Sequence, residues 1–160
     1  MIIQIDTREQ LPLDFSPFGV ETEESTLPVG DYGIRGLSGV EPEDLTLFAV
    51  ERKKDDLASS LGKERVRFFN EIRRARAYLF FGMVIEFAKE DIENHCYRSQ
   101  MNPLSILKTL VSLEVNYGVH VAFCGNAVGA AEQVHEWAHY CWARQMKQHK
   151  RLSKLTGGNT

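Results

Sequence analysis

The stretch Leu45-Thr-Leu-Phe-Ala-Val-Glu51-Arg52-Lys53-Lys-Asp-Asp56-Leu-Ala-Ser-Ser-Leu-Gly62 decides how this chain folds. Leu47 to Val50 are apolar and mostly β-prone, and the run then ends in Glu51-Arg52-Lys53, charge where a buried strand should not carry it. Side chains alternate along a strand, so Glu51 and Lys53 share one face and Arg52 takes the other. A carboxylate and an ammonium side by side fit metal-assisted hydrolysis. The carboxylate holds a divalent cation, and the lysine orients or helps deprotonate the attacking water and offsets developing negative charge. By charge pattern alone, an exposed ion pair at a strand end fits equally well.

Working outward, Asp55 or Asp56 can cap a helix carrying Leu57 and Leu61, which Gly62 breaks. A second helix from about Lys63 to Tyr78 sets Phe68, Ile72, Ala75 and Leu79 on a core stripe, with Arg67, Glu71 and Arg74 on another face. Upstream, Ile2 to Ile5 reads as a first strand that delivers Asp6 and Arg8 to one face, placing Asp6 near a metal; Asp6-Thr7 as a plain turn is the alternative. Val20 to Thr26 is an acidic edge-side strand. The glycine of Gly30-Asp31-Tyr32 lets backbone approach closely. A loop over Arg35–Thr46 then joins this strand to the one ending at Lys53 as an antiparallel hairpin, bringing Asp31 beside Glu51.

Downstream, Phe80 to Phe87 has the continuous hydrophobicity of a sheet centre. Glu86 lies near its end, either capping the polar end or near the site, and Lys89 to Gln100 reads as a loop with a helical turn. Pro103 opens a buried helix (Leu104, Leu107, Leu110, Val111, Leu113) that Gly118 ends, Val119 to Cys124 is a strand, and Asn126 to Gln148 is a long last helix. The fold class is α/β: a central mixed sheet with helices on both faces. Residues 1–149 form one domain and residues 150–160 a flexible basic tail.

With 43% hydrophobic residues in 160, the chain can bury roughly 70% of its unfolded surface without staples. Cys96, Cys124 and Cys141 are odd in number and lack Cys-x-x-Cys spacing, which suggests buried free thiols. The longest uncharged apolar run, Leu79 to Ile85, is too short for a membrane span, so a soluble, intracellular protein is expected, cytoplasmic in a bacterial or phage-like setting and nuclear in a eukaryote. The net charge of −3 excludes a uniformly basic nucleic-acid binder, but its distribution is uneven. Residues 1–50 carry ten acids and two bases, residues 51–78 five acids and nine bases, and residues 144–160 five bases and no acid. A nuclease needs such a border, because phosphates are drawn by Lys and Arg and meet carboxylates only through cations. An ordinary solvated helix face is the alternative for residues 51–78.

Val50-Glu-Arg-Lys53 with Asp56-Leu57, preceded in order by Asp6-Thr-Arg-Glu9 and Gly30-Asp31-Tyr32, resembles the nuclease domain of the XPF family of structure-specific endonucleases, a branch of the PD-(D/E)xK group. The resemblance covers about residues 1–145. It departs at one point: the family spaces Glu-Arg-Lys, three residues, then Asp, whereas only two residues precede Asp56 here. The resemblance implies a restriction-endonuclease-like core with Asp6, Arg8, Asp31, Glu51 and Lys53 in the active site, and Asp6, Asp31 and Glu51 holding Mg²⁺ or Mn²⁺. It also implies branched or flapped duplex DNA as substrate. Arg52 is assigned to nucleic-acid contacts together with Arg65 and Arg67, either of which matches the family's Arg-containing helix; pairing with Glu71 is the alternative for that arginine. The family's helix-hairpin-helix module is not expected here, so a homodimer through the apolar last helix, or a partner subunit, is the candidate source of further DNA grip.

Two other readings stay open. A family member whose motifs decay becomes a non-catalytic DNA-binding or scaffolding subunit, although Asp31, Glu51 and Lys53 are all present here. His135-Glu136-Trp137-Ala138-His139 matches the His-Glu-x-x-His zinc-protease pattern, but no Asp or Glu follows it, and His149 lies about 15 Å further along the helix.

Overall fold

The computed structural model describes residues 1–157. Six strands, β1 (Ile2–Asp6), β2 (Glu21–Ser25), β3 (Tyr32–Ile34), β4 (Phe48–Lys53), β5 (Phe80–Ile85) and β6 (His120–Phe123), form one sheet in the order β2-β1-β3-β4-β5-β6. β3 runs antiparallel to both its neighbours, and the other pairings are parallel. The carboxyl ends of β1, β4, β5 and β6 therefore share one edge with the start of β3. In open α/β sheets that edge is where ligands bind. The acidic Val20–Thr26 segment forms the edge strand β2, as its charge suggests, since an exposed edge needs charge to resist further pairing.

Helices α1 (Leu57–Leu61), α2 (Arg65–Ala75), α3 (Lys89–Glu93) and α4 (Pro103–Tyr117) fill the crossovers between the parallel strands. Helix α5 (Ala127–Leu155) follows β6. Strand alternation divides the core. Ala49, Met83 and Ile85 face Leu61, Phe68, Ile72, Ile106 and Leu113 from α1, α2 and α4. Phe48, Val50 and Val84 face Ala130, Val134 and Ala138 of α5, with Leu13 and Phe15. Gly82 has a packing reason inside β5: a Cβ there would stand 2.5 Å from the Trp137 ring of α5.

Several sequence expectations need correction. The second helix is shorter than Lys63–Tyr78, and Leu79 is exposed rather than on the core stripe. Helix α4 is only half buried, because Leu104 and Val111 face outward along a groove. Helix α5 continues to Leu155, so residues 150–155 of the expected flexible tail are helical, and residues 158–160 lie outside the described part. Of the three free thiols only Cys141 is buried; Cys96 is exposed. Among the described residues, no helix is long and apolar enough to cross a membrane.

Candidate active site

Glycine 30 starts the site. Its φ is +77°, and a Cβ would stand 2.7 Å from the Val50 carbonyl oxygen, so only glycine fits against β4 here. The close approach lets Asp31 N donate to Val50 O at 2.8 Å, while Asp31 O accepts from Asp6 N at 2.9 Å. The Asp31 carboxylate in turn accepts from Arg52 N at 2.8 Å. Three strand ends thus fix one carboxylate.

On the same face, Lys53 Nζ lies 2.7 Å from Glu51 Oε1 and 3.2 Å from Asp56 Oδ2, and 5.2 Å above the Phe68 ring. Asp56 stands at the N-cap of α1 yet makes no capping bond; its oxygens take Lys53 Nζ and Lys54 N instead. Glu51 Oε2 is buried and finds no hydrogen-bond partner. Burial, then the neighbouring Asp31 charge, pushes the Glu51 carboxyl up to about 8. Burial likewise pushes Asp31 up to about 6. Although burial disfavours its charge, the Glu51 and Asp56 carboxylates hold the Lys53 ammonium well above the usual lysine value. Asp31, Glu51 and Lys53 line one cavity of about 300 Å³ together with Arg8, Glu9, Asp56, Arg67 and Glu71.

Other expected site residues are placed differently. Asp6 does not line this cavity. Both its oxygens are consumed: Arg8 Nε at 2.5 Å, Arg8 Nη2 at 3.0 Å, Arg8 N at 2.9 Å and Leu27 N at 2.8 Å. Burial works against its charge, but these bonds hold its carboxyl below the usual range. Asp6, expected as a metal ligand, here anchors Arg8, which lines the cavity.

Arg52, expected to contact nucleic acid, borders the cavity but has its guanidinium engaged within the protein. On the opposite face of β4, it donates to Glu86 Oε1 at 2.5 Å and to Leu11 O at 2.5 Å, and lies 3.3 Å from Glu9 Oε2. Arg65 bonds Leu61 O and stacks 4.5 Å over Phe69, leaving Arg67 as the member of that pair on the cavity. Arg67 is also 3.3 Å from Glu64 rather than paired with Glu71.

Sequence reading missed Glu9, Asp56 and Glu71 as lining residues. Glu9 stood inside the quoted Asp6-Thr-Arg-Glu9 motif, a usable signal. Glu71 carried none, because helical spacing gave it a solvated face.

The His-Glu-x-x-His match builds no metal site. His135 stacks on Phe18 at 4.6 Å, the two imidazole centroids are 6.2 Å apart, and no cluster of three ligand residues exists among the described residues. Zinc hydrolysis needs three protein ligands.

The protein is thus an α/β domain whose mixed six-stranded sheet presents two carboxylates and a lysine in one cavity. The profile of the ERCC4 domain matches residues 5–136, and the chain belongs to that family. Its fold is similar to XPF from Aeropyrum pernix, with a TM-score of 0.68 and 23% identity over 88% of this chain and 61% of that one. The same archaeal protein in complex with DNA gives a TM-score of 0.67 and 23% identity over 89% and 66%. This chain thus spans less than two thirds of either structure. None of the curated proteins compared with it matches.

Proposed function

We propose that this chain is a divalent-metal-dependent endonuclease that hydrolyses phosphodiester bonds in DNA, with branched or flapped duplexes as substrates. One observation carries the reading: Asp31, Glu51 and Lys53 meet at one open cavity, where a buried carboxylate oxygen of Glu51 has no partner. Asp31 and Glu51 are hard oxygen donors and fit Mg²⁺ or Mn²⁺. Such ions commonly bind through one or two carboxylates plus water and phosphate, so a site with few protein ligands suits them. A bound divalent ion supplies charge stabilisation at the phosphate and lowers the pKa of water. An intracellular setting, where Mg²⁺ is plentiful, suits that chemistry.

The side chains divide the remaining tasks. Lys53, held as an ammonium by Glu51 and Asp56, donates hydrogen bonds and stabilises developing negative charge rather than accepting a proton. Arg8, fixed by Asp6, brings a guanidinium to the rim, where it can receive a phosphate oxygen. Arg67 offers a second cation in the cavity lining.

Incubating labelled flap, fork and linear duplexes with and without Mg²⁺ or Mn²⁺ tests the proposal. Metal-dependent cleavage is expected, and Glu51→Ala and Lys53→Ala should each lower it by about 100-fold or more while the protein stays folded. DNA binding without cleavage under any of these conditions would leave only a scaffolding subunit.

A further inference from the structure

Helix α5 outlasts the sheet on which it packs. Its buried residues, Ala130, Ala131, Val134, Ala138 and Cys141, all precede residue 142. The remaining turns, to Leu155, project about 20 Å with no buried side chain. Along them stand Arg144, Lys147, Lys150, Arg151 and Lys154, all exposed. At about 100° per residue these five cations fall within an arc of about 120°, a single basic stripe. No Asp or Glu follows Glu136, and none of the five is in an ion pair among the described residues.

The direction of the arm follows from what α5 passes. Ala127 and Val128 lie beside Pro12 and Leu13, next to the loop that leads from the cavity edge. Trp137 and Arg144 lie beside Phe80 and His120, which start β5 and β6. The arm therefore leaves the sheet at the end opposite Glu51 and Lys53.

Charge complementarity selects the occupant. From Arg144 to Lys154 the stripe spans about 15 Å, over which a DNA duplex presents about nine phosphate charges. A lipid surface suits it less. Trp142, Met146, Leu152 and Leu155 are interleaved with Gln145, Gln148, His149 and Ser153 around the other half of the helix, so there is no apolar stripe to insert.

We propose that this projecting basic stripe is a second DNA-contacting surface, holding the duplex backbone without reading sequence, remote from the cleavage cavity. Its choice of nucleic acid rests on the nuclease reading. Cavity and arm contact separate stretches of DNA, so the arm acts on binding and not on the chemical step.

Fluorescence anisotropy of the full chain on a duplex of about 40 base pairs, across a salt series, tests this. In the quadruple variant K147Q/K150Q/R151Q/K154Q the plot of log affinity against log salt should become shallower by about three to four, following a slope of roughly 0.9 per phosphate neutralised. Affinity at about 0.1 M salt should fall at least tenfold, with unchanged melting temperature and unchanged cleavage rate at saturating DNA. The charge-keeping variant K147R/K150R/K154R should behave as the parent. Parent affinity and parent slope in the glutamine variant overturn the proposal. So does a variant that loses only its binding to anionic phospholipid vesicles, which makes the arm a membrane contact. If the chain cuts no DNA but the slope difference persists, the nuclease reading fails and the arm stands; cleavage with an indistinguishable slope sinks the arm alone.

Discussion

Asp6 and Arg52 show how one charged residue changes role with what reaches it from afar. Alternation along β1 and β4 told which way each points, but not whether that side is open. Asp6 meets Leu27 N from a loop beyond β2, and Arg52 meets Leu11 O and Glu86 from the flanking segments. No local pattern carries such contacts, so the sequence pointed to a metal ligand and a DNA contact without showing the internal bonds that hold both side chains. Glu51 and Lys53 were readable because their partner lies two residues away on the same strand face. Asp6→Ala makes the distinction measurable. It removes a buried acceptor of four hydrogen bonds, two of them from a guanidinium, so a loss of about 2–3 kcal/mol is expected, or a melting temperature lower by about 5–10 °C. Divalent-ion affinity, followed by calorimetry, should change far less than in Asp31→Ala. An equal loss in both variants would return Asp6 to the metal.

At the scale of elements, the hairpin of β3 and β4 was legible because a glycine-aspartate pair and a charged strand end flank a loop rich in Gly, Ser and Pro. The length of α5 was not. Periodicity marks a helix by its buried stripe, and beyond Cys141 there is none, although Lys150, Arg151, Leu152 and Lys154 are good helix formers. Helix α4 misled in the opposite sense, its leucines and valines exceeding what one face of the sheet can cover. The hairpin also carries the most exposed dependence on a single backbone position. Gly30→Ala combines a left-handed φ with a 2.7 Å approach to the Val50 carbonyl, so β3 must shift away from β4 and take Asp31 with it. Strain of this kind costs about 1–3 kcal/mol. Displacing a cavity group by about 1 Å can cost about 100-fold in rate. Cleavage should therefore fall much more than the melting temperature suggests; a variant with parental turnover would show that the close approach does not matter to the site.

For the whole molecule, the sheet gathers charge that folding alone does not favour. Asp31 and Glu51 are forced together under burial, and both carboxyls sit above their ordinary values, at about 6 and about 8. A carboxyl whose folded-state pKa is raised stabilises the fold fully below its unfolded value near 4, and that contribution disappears as pH climbs through the raised value. Lys53 is also shifted upward, which for a base favours the charged form, so its contribution stays constant until well above neutrality and does not mask the effect. Without divalent ions, thermal stability should therefore decline from about pH 4 to about pH 8, where the raised Glu51 value is passed. Glu51→Gln should flatten that decline, because the amide has no proton to lose. A divalent cation competes with those protons, so the gain in melting temperature on adding Mg²⁺ or Mn²⁺ should be larger at pH 8.5 than at pH 5.5. Melting curves at the two pH values, with and without metal, decide it. A metal-independent stability that is flat or rises across this range would mean that the two carboxylates are not crowded as their burial implies.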